Sequence, residues 1–413
     1  MKSNYKRLGN YIRLCNELNE GMEVTELLGI SNNKYFQNSH TNTIGIDLQT
    51  YRTVRTGQFA YNRATTRNGD KISIALRQGN DCIVSPSYRI FEIKDETELL
   101  SEYLLMWFKR PEFDRYVRFK SHGSAHEFFE FDQMCEVLLP VPDILKQKEI
   151  VKEYNVIVNR ISLNNQLIQK LEATAQAIYK QWFIDFEFPD ENGNPYKSSG
   201  GEMDYNTELN KDIPVGWVIN TLKELCSKIG SGSTPNGGKT SYQNSGISLV
   251  RSLNVQDYIF KFEDLAFIDD SQAKKLANVA LEEKDVLLNI TGVSVARCCI
   301  VPKSILPGRV NQHVLIIRPK SESNLSYYIM CLLCDNENKS KLLGISQAGS
   351  TREALTKSEI ETYRILTPNK STIEMFEKKM KIVFDSTESY VRQNEYLLDF
   401  KNIMLSKLAT IEN

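Results

Sequence analysis

Two stretches of this chain carry apolar residues at alternating steps of four and three. Ile150, Tyr154, Ile157, Ile161, Asn164, Ile168, Leu171, Ala175, Ile178 and Trp182 form the first series. Phe376, Met380, Val383, Thr387, Tyr390, Asn394, Leu397, Met404 and Leu408 form the second. Such spacing is the heptad of helices that pack lengthwise on a partner. The first stretch predicts a rod of roughly 55–60 Å, far longer than the radius of gyration of about 14–15 Å expected for a neighbouring globule. A globule surface cannot cover such a seam, so each helix is expected to pack on the other. Asn164 and Asn394 lie on the two seams, where a polar residue fixes register at some cost in stability. Lys401 occupies a second-seam position where an apolar residue is expected, with Phe400 placed to cover it.

Outside the seams the pattern shortens. Lys71–Leu76 and Tyr88–Ile93 read as strands before the first seam, and Glu98–Phe108 as a helix. Between the seams, Ser248–Arg251, Val286–Ile290 and His313–Ile317 read as strands and Leu325–Leu333 as a helix. Short strands with one or two helices point to α+β globules rather than parallel α/β units. The two globules also repeat one another. Gly123-Ser124-Ala125-His126-Glu127 and Gly349-Ser350-Thr351-Arg352-Glu353 lie 226 positions apart. The same offset sets Val84 on Val310, Ile90 on Ile316 and Leu139 on Ile365. The order is therefore globule, helix, globule, helix, a plan suited to gripping two separated pieces of one target. Between the first helix and the second globule, Phe188–Glu202 is rich in Pro, Gly, Asn and Ser and reads as a connector long enough for the chain to reverse.

A length of 413 residues allows two or three domains, each with its own core. No apolar run is long enough to cross a bilayer, and no apolar segment follows Met1-Lys2-Ser3-Asn4-Tyr5-Lys6-Arg7, so a cytoplasmic protein is expected. Cys331 and Cys334 have C-x-x-C spacing, but a zinc site needs a second ligand pair, and they read instead as one turn of a buried helix. The net charge of −1 favours no partner class. Cations do cluster locally: Arg52, Arg55, Arg63, Arg67, Lys71 and Arg77 are opposed only by Asp70 in sequence. Lys109, Arg110, Arg115, Arg118 and Lys120 form a second run. Either is a solvated face or a phosphate-contacting surface.

Catalytic constellations are missing from the sequence. Gly230–Gly238 matches neither G-x-G-x-x-G before a helix nor a P-loop. Asn194-Pro195-Tyr196 lies in the connector and reads as a turn, and no E-x-K follows Pro189-Asp190 at nuclease spacing. The histidines His40, His122, His126 and His313 form no metal or triad pattern, and no Ser or Cys sits in a nucleophile elbow. What remains is recognition chemistry. Tyr61, Asn62 and Arg63 precede the basic residues Arg67 and Lys71 in the first globule, and Asn289 and Thr291 hold the equivalent place in the second. At the common offset, Ser85 and Ser87 face Asn311, Gln312 and His313, and Ser124 and His126 face Ser350, Thr351 and Arg352. Ser233 and Thr234, with Arg251 and Asn254, complete the set. Such side chains pair with base edges in the major groove, and a repeated framework with changed polar residues is what two readers of unlike sequences require. Each is otherwise an ordinary loop polar residue. A protein-binding scaffold and an unrecognised enzyme, such as a nuclease, are the competing classes.

The stretch Leu171-Glu172-Ala173-Thr174-Ala175-Gln176-Ala177-Ile178-Tyr179-Lys180-Gln181-Trp182-Phe183-Ile184-Asp185-Phe186-Glu187 closely resembles the central region of specificity subunits of type I restriction–modification systems. Asn192–Gly201, Ile213-Pro214-Val215-Gly216-Trp217 and Gly232-Ser233-Thr234-Pro235 are similar to that family too. The resemblance implies an α+β fold: target recognition domains over 1–143 and 214–368, spacer helices over 144–186 and 369–413 forming an antiparallel coiled coil, and a connector over 187–213. It implies that each domain reads half of a bipartite site on double-stranded DNA. It further implies that the helices dock two methyltransferase (modification) subunits, which bind S-adenosylmethionine and methylate adenine at N6. A separate restriction/motor subunit would use ATP and Mg. No cofactor or metal is expected in this chain, and no membrane partner. The first globule has no Gly-Ser-Thr-Pro counterpart, and Ile403–Leu408 departs from the family's closing helix.

Overall fold

The computed structural model describes residues 5–39, 45–64, 71–121, 128–235, 237–347 and 353–411. The chain forms two compact units, Met1–Ile161 with Tyr396–Asn413, and Ser162–Glu395.

In the first unit a four-stranded antiparallel sheet runs in the order Ile12–Cys15, Tyr88–Ile93, Phe59–Asn62, Ile74–Leu76. In the second, Cys226–Ser231, Val314–Pro319, Val286–Asn289 and Cys298–Ile300 form a sheet of the same order and sense. Ala60 pairs with Ile90 in one, and Leu287 with Ile316 in the other, so the duplication read from the sequence is a duplication of sheet topology. Helices follow in the same sequence: Ser101–Phe108, Pro111–Ser121 and Phe131–Cys135 in the first unit. Ser326–Cys334, Asn336–Gln347 and Lys357–Glu361 follow in the second. The closing strands Leu138–Pro140 and Arg364–Thr367 pair with Tyr5–Arg7 and Val218–Thr221. One difference lies at the sheet margin. Arg52–Val54 pairs antiparallel with Cys82–Val84, whereas Ile247–Val250 pairs parallel with Gly308–Val310.

Each central strand is buried on both faces. Phe59 and Tyr61 enter the core with Phe91 and Phe108, while Ala60 turns to a second cluster with Cys82, Val84 and Ile90. Val286 and Leu288 divide from Leu287 in the same way. A fully buried large apolar side chain contributes about 1.5–3 kcal/mol, so this double coverage anchors each sheet at its middle. Cys331 and Cys334 lie on the wholly buried helix Ser326–Cys334, and burial pushes the Cys331 thiol well up.

The long helices span Ile144–Tyr179, continued by a π-helical turn at Lys180–Ile184, and Lys370–Lys407. They pack together and run antiparallel: Asn164 lies against Asn394, and Trp182 against Phe376 at 5.8 Å between ring centroids. In the first unit, Ile150 and Tyr154 share a core with Leu405 and Leu408. Asn164 Nδ2 donates to Asn394 Oδ1 at 2.9 Å and to Gln393 Oε1 at 2.7 Å, and Asn394 Nδ2 donates to Asn165 Oδ1 at 2.8 Å. The π-helical turn widens the helix, so that the adjacent residues Trp182 and Phe183 are both buried. Phe183 meets Tyr328 and Phe376 at 4.7 Å each.

The second seam departs from expectation at its end. Phe400 is exposed and does not cover Lys401; Leu405 enters the core instead. Lys401 is half-buried, and Lys109, whose ammonium lies 5.4 Å from the centre of the Tyr154 ring, is pushed down to about 8, chiefly by burial and then by Lys401. The segment read as a connector is also more ordered than its composition implies. Phe188 stacks on Tyr196 and Trp217, and Met203–Asn206 forms a hairpin with Lys211–Pro214. Asp190 accepts from the backbone N–H groups of Asn192 and Asn194, making the expected turn. No helix among the described residues is long and apolar enough to cross a membrane.

Candidate nucleic-acid interface

In the second unit three chain segments meet beside the sheet. Gly232 donates its N–H to Asn311 O at 3.2 Å, and a Cβ there would fall 1.8 Å from Val310 O, so only glycine allows this approach. The contact seats Thr234 against the segment Asn311–His313. Thr234 Oγ1 donates to Gln312 Oε1 at 2.6 Å, and Gln312 Nε2 donates to His313 Nε2 at 3.0 Å. His313 Nδ1 then lies 2.6 Å from Thr291 Oγ1. An amide oxygen only accepts and an amide nitrogen only donates, which fixes the direction of the relay. With the Gln312 amide nitrogen turned to one ring nitrogen, the other, His313 Nδ1, is the donor to Thr291. Asn311 Oδ1 accepts from the His313 backbone at 3.1 Å and holds the segment's turn. Ser233, Thr234 and Gln312 are exposed, and Thr291 and His313 are half-buried.

The structure moves other candidates inward. Asn289 is fully buried and donates to Ser252 O at 2.9 Å. Asn254, equally buried, donates to Lys261 O at 2.9 Å and accepts from Arg251 N at 3.0 Å. Arg251 lies over the Tyr242 ring and donates to Asp264 O. These three residues brace loops rather than present themselves to a ligand. Tyr61 is likewise corrected: it is fully buried on the core-facing phase of its strand, and burial raises its phenol well above the ordinary range.

At the equivalent strand ends of the first unit the chemistry is cationic. Arg63 pairs with Glu130 at 2.9 Å and lies over the Phe128 ring, and Arg89 approaches the same carboxylate at 3.8 Å. Arg52 is close enough to Arg89 and Arg63 for both to disfavour its charge, after burial. Ser85 and Ser87 share a hydrogen bond at 2.7 Å, Asn62 Oδ1 accepts from Ala64 N at 3.1 Å, and Lys71 is exposed. The remaining cations of this stretch are neutralised, Arg55 by Glu17 and Asp81 and Arg77 by Glu26. Sequence reasoning missed Arg89, because it stands inside a strand; its place one residue after Tyr88, which pairs with Asn62, was the available signal. Arg67, Ser124, His126, Ser350, Thr351 and Arg352 lie outside the described residues.

Residues 214–395 match the family model described as type I restriction modification DNA specificity domain. The chain is 28% identical over 313 residues to the type I restriction enzyme MjaIX specificity subunit of Methanocaldococcus jannaschii, covering 75% of this chain and 68% of that protein. It is 21% identical over 431 aligned positions to the HindI specificity subunit of Haemophilus influenzae, covering 93% and 92%. The crystal structure of a type I restriction–modification S subunit from M. genitalium shares the fold, with a TM-score of 0.59 at 13% identity over 99% of this chain and 96% of that one. The chain is thus similar over most of its length to specificity subunits of type I restriction–modification systems, and its second globule matches their DNA specificity domain.

Proposed function

We propose that this chain reads a bipartite site on double-stranded DNA for a type I restriction–modification complex, and that it carries no catalysis of its own. The observation that supports this reading is chemical. Two sheets of one topology present unlike surfaces at equivalent strand ends: Arg52, Arg63 and Arg89 in the first unit, and the Thr234–Gln312–His313–Thr291 relay in the second. Unlike half-sites call for such a pair, because Arg favours guanine O6 and N7 whereas hydroxyl and amide groups suit other edges. In this reading, 1–143 and 214–368 are the recognition domains and the long helices set the unread interval between half-sites.

The helices would also dock two modification subunits. Apolar side chains recur at seven-residue steps outside the packed seam: Val156 and Leu163 on the first helix, and Met375 and Ile382, then Tyr396 and Ile403, on the second, all exposed. Exposed apolar rows of this kind mark contact surfaces. The modification partners would carry S-adenosylmethionine and methylate adenine at N6, and the motor partner would use ATP and Mg, in the cytoplasm. A net charge of −1 fits shared binding, with the partners supplying most phosphate contacts. Mapping N6-methyladenine across the host genome tests the proposal. The expected result is one two-part motif with an unspecified interval, lost when the gene is deleted. A continuous motif, or methylation unchanged by deletion, overturns it.

A further inference from the structure

The turn after Thr291 holds an apolar side chain wholly in solvent. Val293 is 99% exposed, which no folding role explains. It is also fixed in place. Gly292, at φ 73°, donates to Glu353 O at 3.0 Å; Val295 N donates to Gly292 O at 2.9 Å; and Ala296 N donates to Asn289 O at 2.8 Å. Two residues earlier stands Thr291, whose hydroxyl accepts from His313 Nδ1 at 2.6 Å. The relay from Thr234 thus leaves the Thr291 hydroxyl proton with no acceptor among the described residues, free to be donated outward.

We propose that Thr291 and Val293 together read the major-groove edge of a thymine. A donor needs an acceptor on the base, which guanine, adenine and thymine each offer, whereas cytosine presents a donor. An apolar group on the same hydrogen-bonded turn, two residues from the donor, selects among the three, because only thymine carries a methyl next to its O4 acceptor. The relay through Gln312 and His313 positions the donor; Val293 supplies the shape. This inference rests on the DNA-reading proposal above and specifies one base of the half-site read by the second unit.

The test uses the full chain copurified with its modification subunits. Selection from a random duplex library first yields the bound sequence. Each thymine in it is then replaced singly by deoxyuridine, which removes only the methyl group, and by 5-methylcytosine paired with guanine, which keeps the methyl but exchanges acceptor for donor. At one thymine the wild type is expected to lose about fourfold in affinity with deoxyuridine, the worth of one buried methyl. There it should lose roughly tenfold or more with 5-methylcytosine. Val293→Ser should abolish the first loss and keep the second; Thr291→Val should shrink the second. If a sequence is selected but no thymine shows a methyl effect that depends on Val293, the inference is wrong while the DNA-reading proposal stands. If the library returns no sequence at all, that proposal fails.

Discussion

At the scale of single residues, Glu377 joins helix stability to proton uptake. It is 3% exposed on the second long helix, and one carboxyl oxygen accepts from Tyr328 N at 2.8 Å, at the start of the helix Ser326–Cys334. Its other oxygen has no hydrogen-bond partner among the described residues. Burial outweighs that hydrogen bond and pushes the carboxyl up to about 8 from 4.5. The folded state therefore holds a proton that the unfolded chain releases. The associated stability is fully present below pH 4.5 and falls as pH rises through about 8. Glu377→Gln keeps the acceptor for Tyr328 and removes the titration. Its stability relative to wild type should rise from below about 1 kcal/mol at pH 5 to a gain of about 3–5 kcal/mol at pH 9, read from urea midpoints. A difference independent of pH would contradict this account. Gly232 is constrained by space rather than charge. Gly232→Ala should cost about 1–3 kcal/mol by forcing the loop off Val310, and should weaken selection at the second half-site only. The other half-site in the same binding selection is the internal control. Neither role is visible in sequence, because each depends on what a distant segment brings to the residue. For the same reason Asn254 and Asn289, polar residues near promising turns, proved to be internal braces, and Tyr61 a core residue.

At the scale of elements, legibility tracks how fully one face is buried. Tyr88–Ile93 was readable to the residue, and both long helices declared themselves through their seams. Central strands buried on both faces lose the alternation that would tell which side chains point outward, which is how Tyr61 passed for a surface residue. The aromatic stack of Phe188, Tyr196 and Trp217 hid inside a turn-rich composition, since stacking partners 8 and 29 positions apart leave no period. The asparagines on the two seams were readable and make a quantitative claim. Asn394→Leu strips Asn164 and Asn165 of a partner each and should cost about 1–3 kcal/mol. The double variant Asn164→Leu, Asn394→Leu should recover most or all of that loss, because matched apolar residues replace a desolvated polar pair. Thermal denaturation of the two single variants and the double closes the cycle. Additive losses would mean that the two amides do not act as a pair.

At the scale of the whole molecule, the duplication gives the proposed function its means: two frameworks of one topology, each with its own exposed residues. A shared sheet order keeps the frameworks alike while the exposed polar residues diverge, as the arginines of one unit and the relay of the other have done. Under the proposed function the interval between half-sites is set by helix length, and the antiparallel pairing dictates how to change it. Asn164 meets Asn394 and Trp182 meets Phe376, so Leu171 stands level with Thr387. Seven residues inserted after Leu171 alone would throw the seams out of register beyond that point and lower stability. Seven inserted after Leu171 and seven between Ser386 and Thr387 preserve every seam contact and lengthen the pair by about 10.5 Å. At about 3.4 Å per base pair, the methylated motif should gain roughly three unspecified positions while both half-site sequences stay as they were. Because each added base pair also rotates the far half-site around the duplex, the variant is expected to bind its lengthened site more weakly than wild type binds its own, with the preference for the new interval intact. A motif whose half-site letters change, at an unchanged interval, would show that the helices take part in reading and do not measure the distance between readers.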